Sequence, residues 1–506
     1  MEKAKTADLR TNSEFLPITL IVLVFFAVLY FFSPSVRGSD QYWYVGDIER
    51  VVLQDGAYAT NSVFPNSLPS DLKELPRPWV QNKPVSYIVL QIAWLTKNGH
   101  LAWLIFNTLC LVASALMVAR CLQLRRKLWF IALFLFFPFN FYLASQPLTD
   151  MFILFLVAAI QYLLVAAKRN NLTVILLALA TAVLIAQRPN YLLLLIVVPI
   201  AFYFLWPRKK LLSTGVFLVV TMALVYVNSL VIKEHLLIRP TIIDTIVNNM
   251  PGKTNMGNYL YPYHAANLSV SELASVLWTK FCGAVINQLE FFGISSMMFY
   301  LVNLMLIGLV IIIAKRRWKT PAIAVSMIFI AIHFATVILF ANQYRYAAAI
   351  IPALFIVDGE ALRTLNFRID LKWQRAAVIA FCLLLTSVIG YQVRITAISE
   401  KDLNARVAEL AKQKNITALM CEWNNGGCLS VGYALSPRPV FYFPRDYSVS
   451  DWMAAAKKIH TNFGIVYYKS HLYNELQPFI VNEERVKGTD IILFEIGPQG
   501  PDTIKK

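Results

Sequence analysis

The chain has 506 residues, of which 58% are hydrophobic and 15% charged, with a formal net charge of +17. Such a composition is too apolar for a soluble domain and fits a polytopic membrane protein. The positive charge is not a nucleic-acid surface, because the basic residues stand in short groups between apolar stretches: Arg125-Arg126-Lys127, Lys168-Arg169, Arg208-Lys209-Lys210, Lys315 to Lys319, and Arg363 through Arg375. Groups placed this way are what the positive-inside rule expects of cytoplasmic loops.

The N-terminus is basic (Lys3, Lys5, Arg10) and leads into an apolar stretch without a small-residue cleavage site, which predicts an uncleaved first helix over 16–33. Directly after it comes Gly38-Ser39-Asp40-Gln41-Tyr42-Trp43-Tyr44-Val45-Gly46-Asp47. If this stretch is helical through Val52, then Asp40, Tyr44 and Asp47 recur at i, i+4 and i+7, with two carboxylates and a phenol on one face. A carboxylate pair there can serve as general base and electrostatic partner, and the same pattern also suits an acidic interfacial helix without chemistry. The loop 34–100 continues through several prolines and Asn82-Lys83-Pro84 into Val85–Leu95, an apolar run with Tyr87 and Trp94 that suits a helix lying on the bilayer.

A crossing needs roughly 20 apolar residues, and about eleven stretches qualify, the short ones included. They are 16–33, 101–120, 128–144, 149–167, 172–187, 190–207, 211–232, 297–314, 320–340, 345–360 and 373–393. Every basic group then falls on one side, with the N-terminus inside and the C-terminus outside. Outside lie the loops 34–100 and 233–296, the second carrying Tyr263, His264 and Glu290. Three tight turns join them, holding Thr149-Asp150, Gln187-Arg188-Pro189-Asn190 and Tyr344-Arg345-Tyr346. There is no internal repeat of the kind many transporters carry. His333 is the clearest ionisable residue within the spans and reads as a core histidine.

From about Ile395 the composition changes. Residues 401–413 and 450–460 are helix-like, while 416–421, 439–443, 464–468 and 491–495 are strand-like, so 394–506 is expected to be a small extracytoplasmic α/β domain beyond a membrane domain 1–393. No glycine-rich phosphate loop opens its helices. Cys421 and Cys428 bracket a turn-forming run, and a disulfide between them would imply an oxidising compartment.

The charged residues at the outer surface are Asp40, Asp47, Lys83, Asp150, Arg188, Glu290 and Arg345. Lone arginines in short outer turns go against the sidedness rule, and a lipid phosphate would account for them, since guanidinium forks match phosphate oxygens. Snorkelling, or pairing of Arg188 with Asp150, is the alternative. In the catalytic reading Lys83, Arg188 and Arg345 hold the phosphate of a lipid-linked sugar, and Asp40 takes the proton of an acceptor hydroxyl. Asp47 is the second catalytic carboxylate, a helper to Asp40, and aromatic rings stack on sugar, with Tyr44, Asp150, Tyr263, His264 and Glu290 in support. No cofactor is expected. His264 with Glu290 is too thin a cluster to argue for zinc, and a divalent metal is left open.

This arrangement resembles the integral-membrane glycosyltransferases of the C-type fold, which use polyprenyl-phosphate sugars and include the protein O-mannosyltransferases and the bacterial aminoarabinose transferase of lipid A. The likeness covers most of 1–393. It rests on Gly38-Ser39-Asp40-Gln41 after the first helix, Asn82-Lys83-Pro84 before the interfacial helix, Thr149-Asp150 at the fourth helix, and Arg345-Tyr346 leading to Pro352. The resemblance implies that Asp40 is the catalytic base and that Lys83 and Arg345 contact donor phosphate. Two departures stand out: Gln41 follows Asp40 where many relatives have a second acid, and Asn82 precedes Lys83 where aminoarabinose-type relatives have glutamate.

The resulting expectation is an inverting glycosyltransferase in a bacterial inner membrane. It would move a sugar from undecaprenyl phosphate to a cell-envelope glycan or lipid, such as lipopolysaccharide O-antigen or lipid A, at the periplasmic face. A glycan polymerase or ligase using lipid-linked saccharides is the alternative, with a lipid-linked sugar flippase as a non-enzymatic third. The bilayer is a partner and nucleic acid is not.

Overall fold

The computed structural model describes residues 2–37, 39–53, 84–124, 127–206, 210–233, 269–272, 274–275, 278–279, 282, 294–317, 319–339, 344–365, 372–422, 433, 435, 440–443, 448–458, 460–486 and 488–497. The chain forms two compact units. One comprises 1–32, 83–85 and 104–393; the other comprises 33–82, 86–103 and 394–506, so that the first loop groups with the C-terminal region.

The first unit is helical. It contains α1 (Glu2–Phe32), most of α4 (Gly99–Cys121), α5 (Leu128–Leu135), α6 (Pro138–Ala144), α7 (Asp150–Val165), α8 (Asn171–Gln187), α9 (Leu194–Leu205) and α10 (Lys210–Lys233). It continues with α11 (Ile294–Ala314), α12 (Pro321–Leu339), α13 (Ile351–Thr364) and the first half of α14 (Lys372–Gln413). Among the described residues, Phe15–Phe32, Gly99–Cys121 and Ala376–Gln413 are each long and apolar enough to cross a membrane, and shorter apolar helices accompany them. Their outward faces are also apolar: Leu16, Leu20 and Leu23 on α1, Ile196 and Ile200 on α9, and Leu211 and Val219 on α10 are exposed. Apolar residues on the outside as well as the inside mark a protein solvated by lipid.

The stretch 128–144, expected as one span, is two helices, because Pro138 has no N–H to give the Phe134 carbonyl. Asn140 Nδ2 donates to that carbonyl instead at 2.8 Å, and Thr386 Oγ1 of α14 donates to the Phe136 carbonyl at 2.8 Å. Both donors are buried, as a break inside an apolar bundle requires. Phe25 of α1 packs edge-on against Phe136 and Phe141, with centroids 5.3 and 6.0 Å apart.

In the second unit lie α2 (Ser39–Leu53), most of α3 (Pro84–Thr96), the second half of α14, α15 (Val449–Lys458), α16 (His471–Leu476) and a five-stranded sheet. The strands are β1 (Leu419–Glu422), β2 (Val440–Phe443), β3 (Phe463–Tyr467), β4 (Ile480–Arg485) and β5 (Ile491–Ile496), in the order β2-β1-β3-β5-β4. β1 runs parallel to β2 and β3, and β5 runs antiparallel to β3 and β4. Met420, Trp452, Val466, Ile492 and Phe494 form its core. Gly464 lies under Phe494 and Trp452, where a Cβ would overlap both rings. At the carboxyl end of β1 the buried Glu422 accepts from the Tyr467 N–H at 3.0 Å and from Ser470 Oγ at 2.7 Å, which ties β1 to the end of β3. Cys421 is disulfide-bonded, Cys110, Cys121, Cys282 and Cys382 are free thiols, and Cys428 lies outside the described residues.

Candidate functional site

The helix over the first acidic stretch is present as α2, and its buried side is set by Gln41, Tyr42, Val45, Ile48 and Val52. By helical register Asp40, Trp43, Asp47 and Arg50 fall on the opposite side, with Asp40 and Asp47 two turns apart on one face. Tyr44, expected to share that face, lies at its edge and is buried, packing edge-on against Trp103 at 5.7 Å.

Polar ties hold the buried side of α2. Tyr42 donates its hydroxyl to the Val36 carbonyl at 3.1 Å and accepts from Asn404 Nδ2 at 3.1 Å. Glu49 accepts from the Gly99 N–H at 3.1 Å and from the Tyr433 hydroxyl at 2.8 Å. Burial raises Glu49 above the usual carboxylate range, against the pull of hydrogen bonds from Tyr433, Gly99 and His100. Burial also raises the Tyr42 and Tyr433 phenols, with Glu400 and Glu49 respectively adding to the effect, so both remain neutral donors.

In the helical unit, Asp150 is the first residue of α7 and is 3% exposed. Arg188, which follows α8, donates its Nη2 to Asp150 Oδ1. The pair forms because α7 and α8 pack against each other and run antiparallel, so the start of one meets the end of the other. A carboxylate at the first turn of a helix is also favoured by the helix dipole. The turn before Asp150 is braced from α4: Asn107 Nδ2 donates to the Ala144 carbonyl at 3.1 Å and the Gln146 carbonyl at 2.7 Å. These carbonyls lie at the end of α6, which Pro147 prevents from continuing. Tyr191 and His333 lie within electrostatic range of the pair, Tyr191 of both charges and His333 of Arg188.

Arg345 belongs to a 3-10 segment, Tyr344–Ile350, that packs against α7 and α12 and leads into α13. Lys83, Tyr263, His264 and Glu290 lie outside the described residues. The structure therefore brings Asp150 and Arg188 into contact, and sets Asp40 and Asp47 on one helix face. Among the described residues there is no group of three or more His, Cys, Asp or Glu arranged to hold a metal ion.

Glu49, Tyr433 and Asn107 escaped the sequence reading. Glu49 stands two residues after Asp47, which turns it to the opposite side of the helix, and its partner Tyr433 is 384 residues away. Asn107 sits within an apolar run where a lone amide carries no motif.

No family model and no curated protein matches the chain. Solved structures do. The crystal structure of ArnT from Cupriavidus metallidurans bound to undecaprenyl phosphate matches over 95% of this chain and 99% of its own, with a TM-score of 0.55 and 13% identity. The fold is that of the C-type glycosyltransferases. The same ArnT in its apo state matches over 97% of this chain and 100% of its own, at a TM-score of 0.53 and 13% identity. The single-particle structure of the arabinofuranosyltransferase AftD from mycobacteria covers 95% of this chain and 40% of its own, at 0.46 and 12% identity. The match to ArnT extends over the C-type membrane helices and the C-terminal residues alike, as the 95% coverage requires.

Proposed function

We propose that this protein is an inverting glycosyltransferase that takes its sugar from an undecaprenyl-phosphate carrier. The observation that carries the reading is the whole-length C-type fold shared with ArnT, whose structure holds undecaprenyl phosphate. The acidic α2, immediately after the first apolar helix, supplies the chemistry such a donor needs. Asp40 accepts the proton of the acceptor hydroxyl as its oxygen bonds to the anomeric carbon. The bond from that carbon to the phosphate oxygen breaks on the opposite face, which inverts the centre and releases undecaprenyl phosphate. Lys83, Arg188 and Arg345 hold the phosphate, with Asp150 orienting the Arg188 fork, and Asp47 supports Asp40.

In this reading the protein crosses a bacterial inner membrane about eleven times, with the N-terminus inside and the active site at the periplasmic face. Residues 1–393 form the membrane domain with its outer loops 34–100 and 233–296, and 394–506 lie outside and shape the acceptor side. The acceptor is an envelope glycan or lipid such as lipopolysaccharide. Deletion of the gene followed by mass analysis of envelope glycans identifies the sugar from the missing mass. Complementation with Asp40→Asn is expected to leave that mass missing, since removing a general base costs about 10²–10⁴-fold in rate. Restoration of the product by a normally expressed Asp40→Asn protein would rule out Asp40 as the base.

A further inference from the structure

Glu49 is on the buried side of α2, away from the face on which Asp40 falls. Its carboxylate meets the start of α4, accepting from the Gly99 N–H at 3.1 Å, where the helix dipole favours an anion. The approach depends on glycine: a Cβ on residue 99 would come within 2.7 Å of Glu49 Cγ and 3.2 Å of the Val45 carbonyl. A second bond comes from Tyr433 at 2.8 Å, and the same Tyr433 ring packs against Tyr42 at 5.3 Å. One C-terminal tyrosine thus grips α2 at two points, two turns apart on its buried side. Tyr42 is in turn tied to Asn404 of α14.

We propose that Glu49 and Tyr433 are positioning residues, a clamp that fixes α2 in the orientation that presents Asp40 to the acceptor hydroxyl. The proposal rests on the reading of Asp40 as the base. Asp40 and Glu49 are about 13 Å apart along the helix axis, so a tilt of about 5° about Glu49 moves the Asp40 backbone by about 1 Å. A displacement of that size costs up to about 10²-fold in rate. Through this clamp the C-terminal region acts on the chemistry by way of α2, besides shaping the acceptor side.

The test uses the full chain in lipid nanodiscs with three readouts. These are binding of undecaprenyl phosphate, hydrogen exchange of the amides of residues 39–53, and restoration of the envelope product in the deletion strain. Glu49→Ala and Tyr433→Phe are expected to bind undecaprenyl phosphate within about twofold of the parent. Their α2 amides should exchange about tenfold faster or more, and product formation should fall about ten- to a hundredfold. Glu49→Gln keeps an oxygen for the same donors and is expected to restore product to within about threefold. Unchanged α2 exchange in both Glu49→Ala and Tyr433→Phe overturns the clamp, as does a loss of carrier binding in step with product. Full activity of Asp40→Asn would overturn the reading of the base instead, and the exchange data would still decide whether the clamp exists.

Discussion

Removing Arg188 should destabilise the protein more than removing its partner, and the structure says why. In the pair, the Asp150 side chain is 4% exposed and the Arg188 side chain 18%. Arg188→Ala strands a carboxylate in an apolar bundle, and breaking a buried pair from one side costs about 3–5 kcal/mol. Asp150→Ala leaves a guanidinium nearer solvent, at the end of a helix where cations are favoured, so the cost falls to about 1–3 kcal/mol. The double variant Asp150→Ala/Arg188→Ala should be more stable than Arg188→Ala alone, because the stranded charge has gone. SDS-titration unfolding in bicelles reads all four members of the cycle. Equal losses below about 1 kcal/mol for both single variants, the range of a surface pair, would refute the assignment of a buried, mutually dependent pair.

Arg345→Ala is expected to weaken donor use by up to about 3 kcal/mol, the worth of a charged hydrogen bond, while stability holds; an unchanged response to donor concentration removes it from the site. Asn107→Ala should cost about 1–3 kcal/mol, since two buried carbonyls at the end of α6 lose their donor, and an unfolding midpoint equal to the parent's would contradict the bracing role. Gly464→Ala should destabilise by about 1–3 kcal/mol through overlap with Phe494 and Trp452, and a neutral effect would mean that the sheet core has room to spare. The raised pKa of Glu49 sets a pH dependence. The folded protein keeps this proton at a pH where the unfolded chain has lost it, so the stability contributed is fully present below the ordinary carboxylate value and lost as pH rises through the raised one. The stability of the parent minus that of Glu49→Gln, followed upward from about pH 4, should therefore fall; a flat or rising difference contradicts the shift.

Where periodicity is long and uninterrupted, the sequence located the elements closely. The helix expected through Val52 runs from Ser39 to Leu53, and the apolar run Val85–Leu95 is a helix from Pro84 to Thr96. The four expected strands match β1, β2, β3 and β5 to within a few residues. Misses came where the signal was weak or divided. β4, Ile480–Arg485, is a largely exposed edge strand ending in Asn482-Glu483-Glu484-Arg485, so no alternation marks it. The helix-like stretches 373–393 and 401–413 are one helix, α14, because only a change from apolar to polar composition separates them and no breaker stands between. Composition changes with solvent, whereas the backbone follows propensity, and the two need not change at the same residue.

The same distinction explains what could be read of the candidate site. Asp150, Arg188 and Arg345 were legible as charges at the ends of apolar stretches, and each proves to sit beside a helix interruption: Pro147 before Asp150, Pro189 after Arg188, and a 3-10 segment around Arg345. A proline break leaves carbonyls that need donors, and those donors come from buried amides and hydroxyls such as Asn107, Asn140 and Thr386. A charge within an uninterrupted apolar helix would meet lipid on all sides, whereas at a break it meets backbone and polar side chains. The prolines that stop the helices are therefore part of what lets an aspartate and an arginine meet at the end of an apolar bundle. The chain announces the breaks and the charges by residue type, but it leaves unsaid which distant amide or phenol holds each one, because those partners are chosen by packing across tens to hundreds of residues.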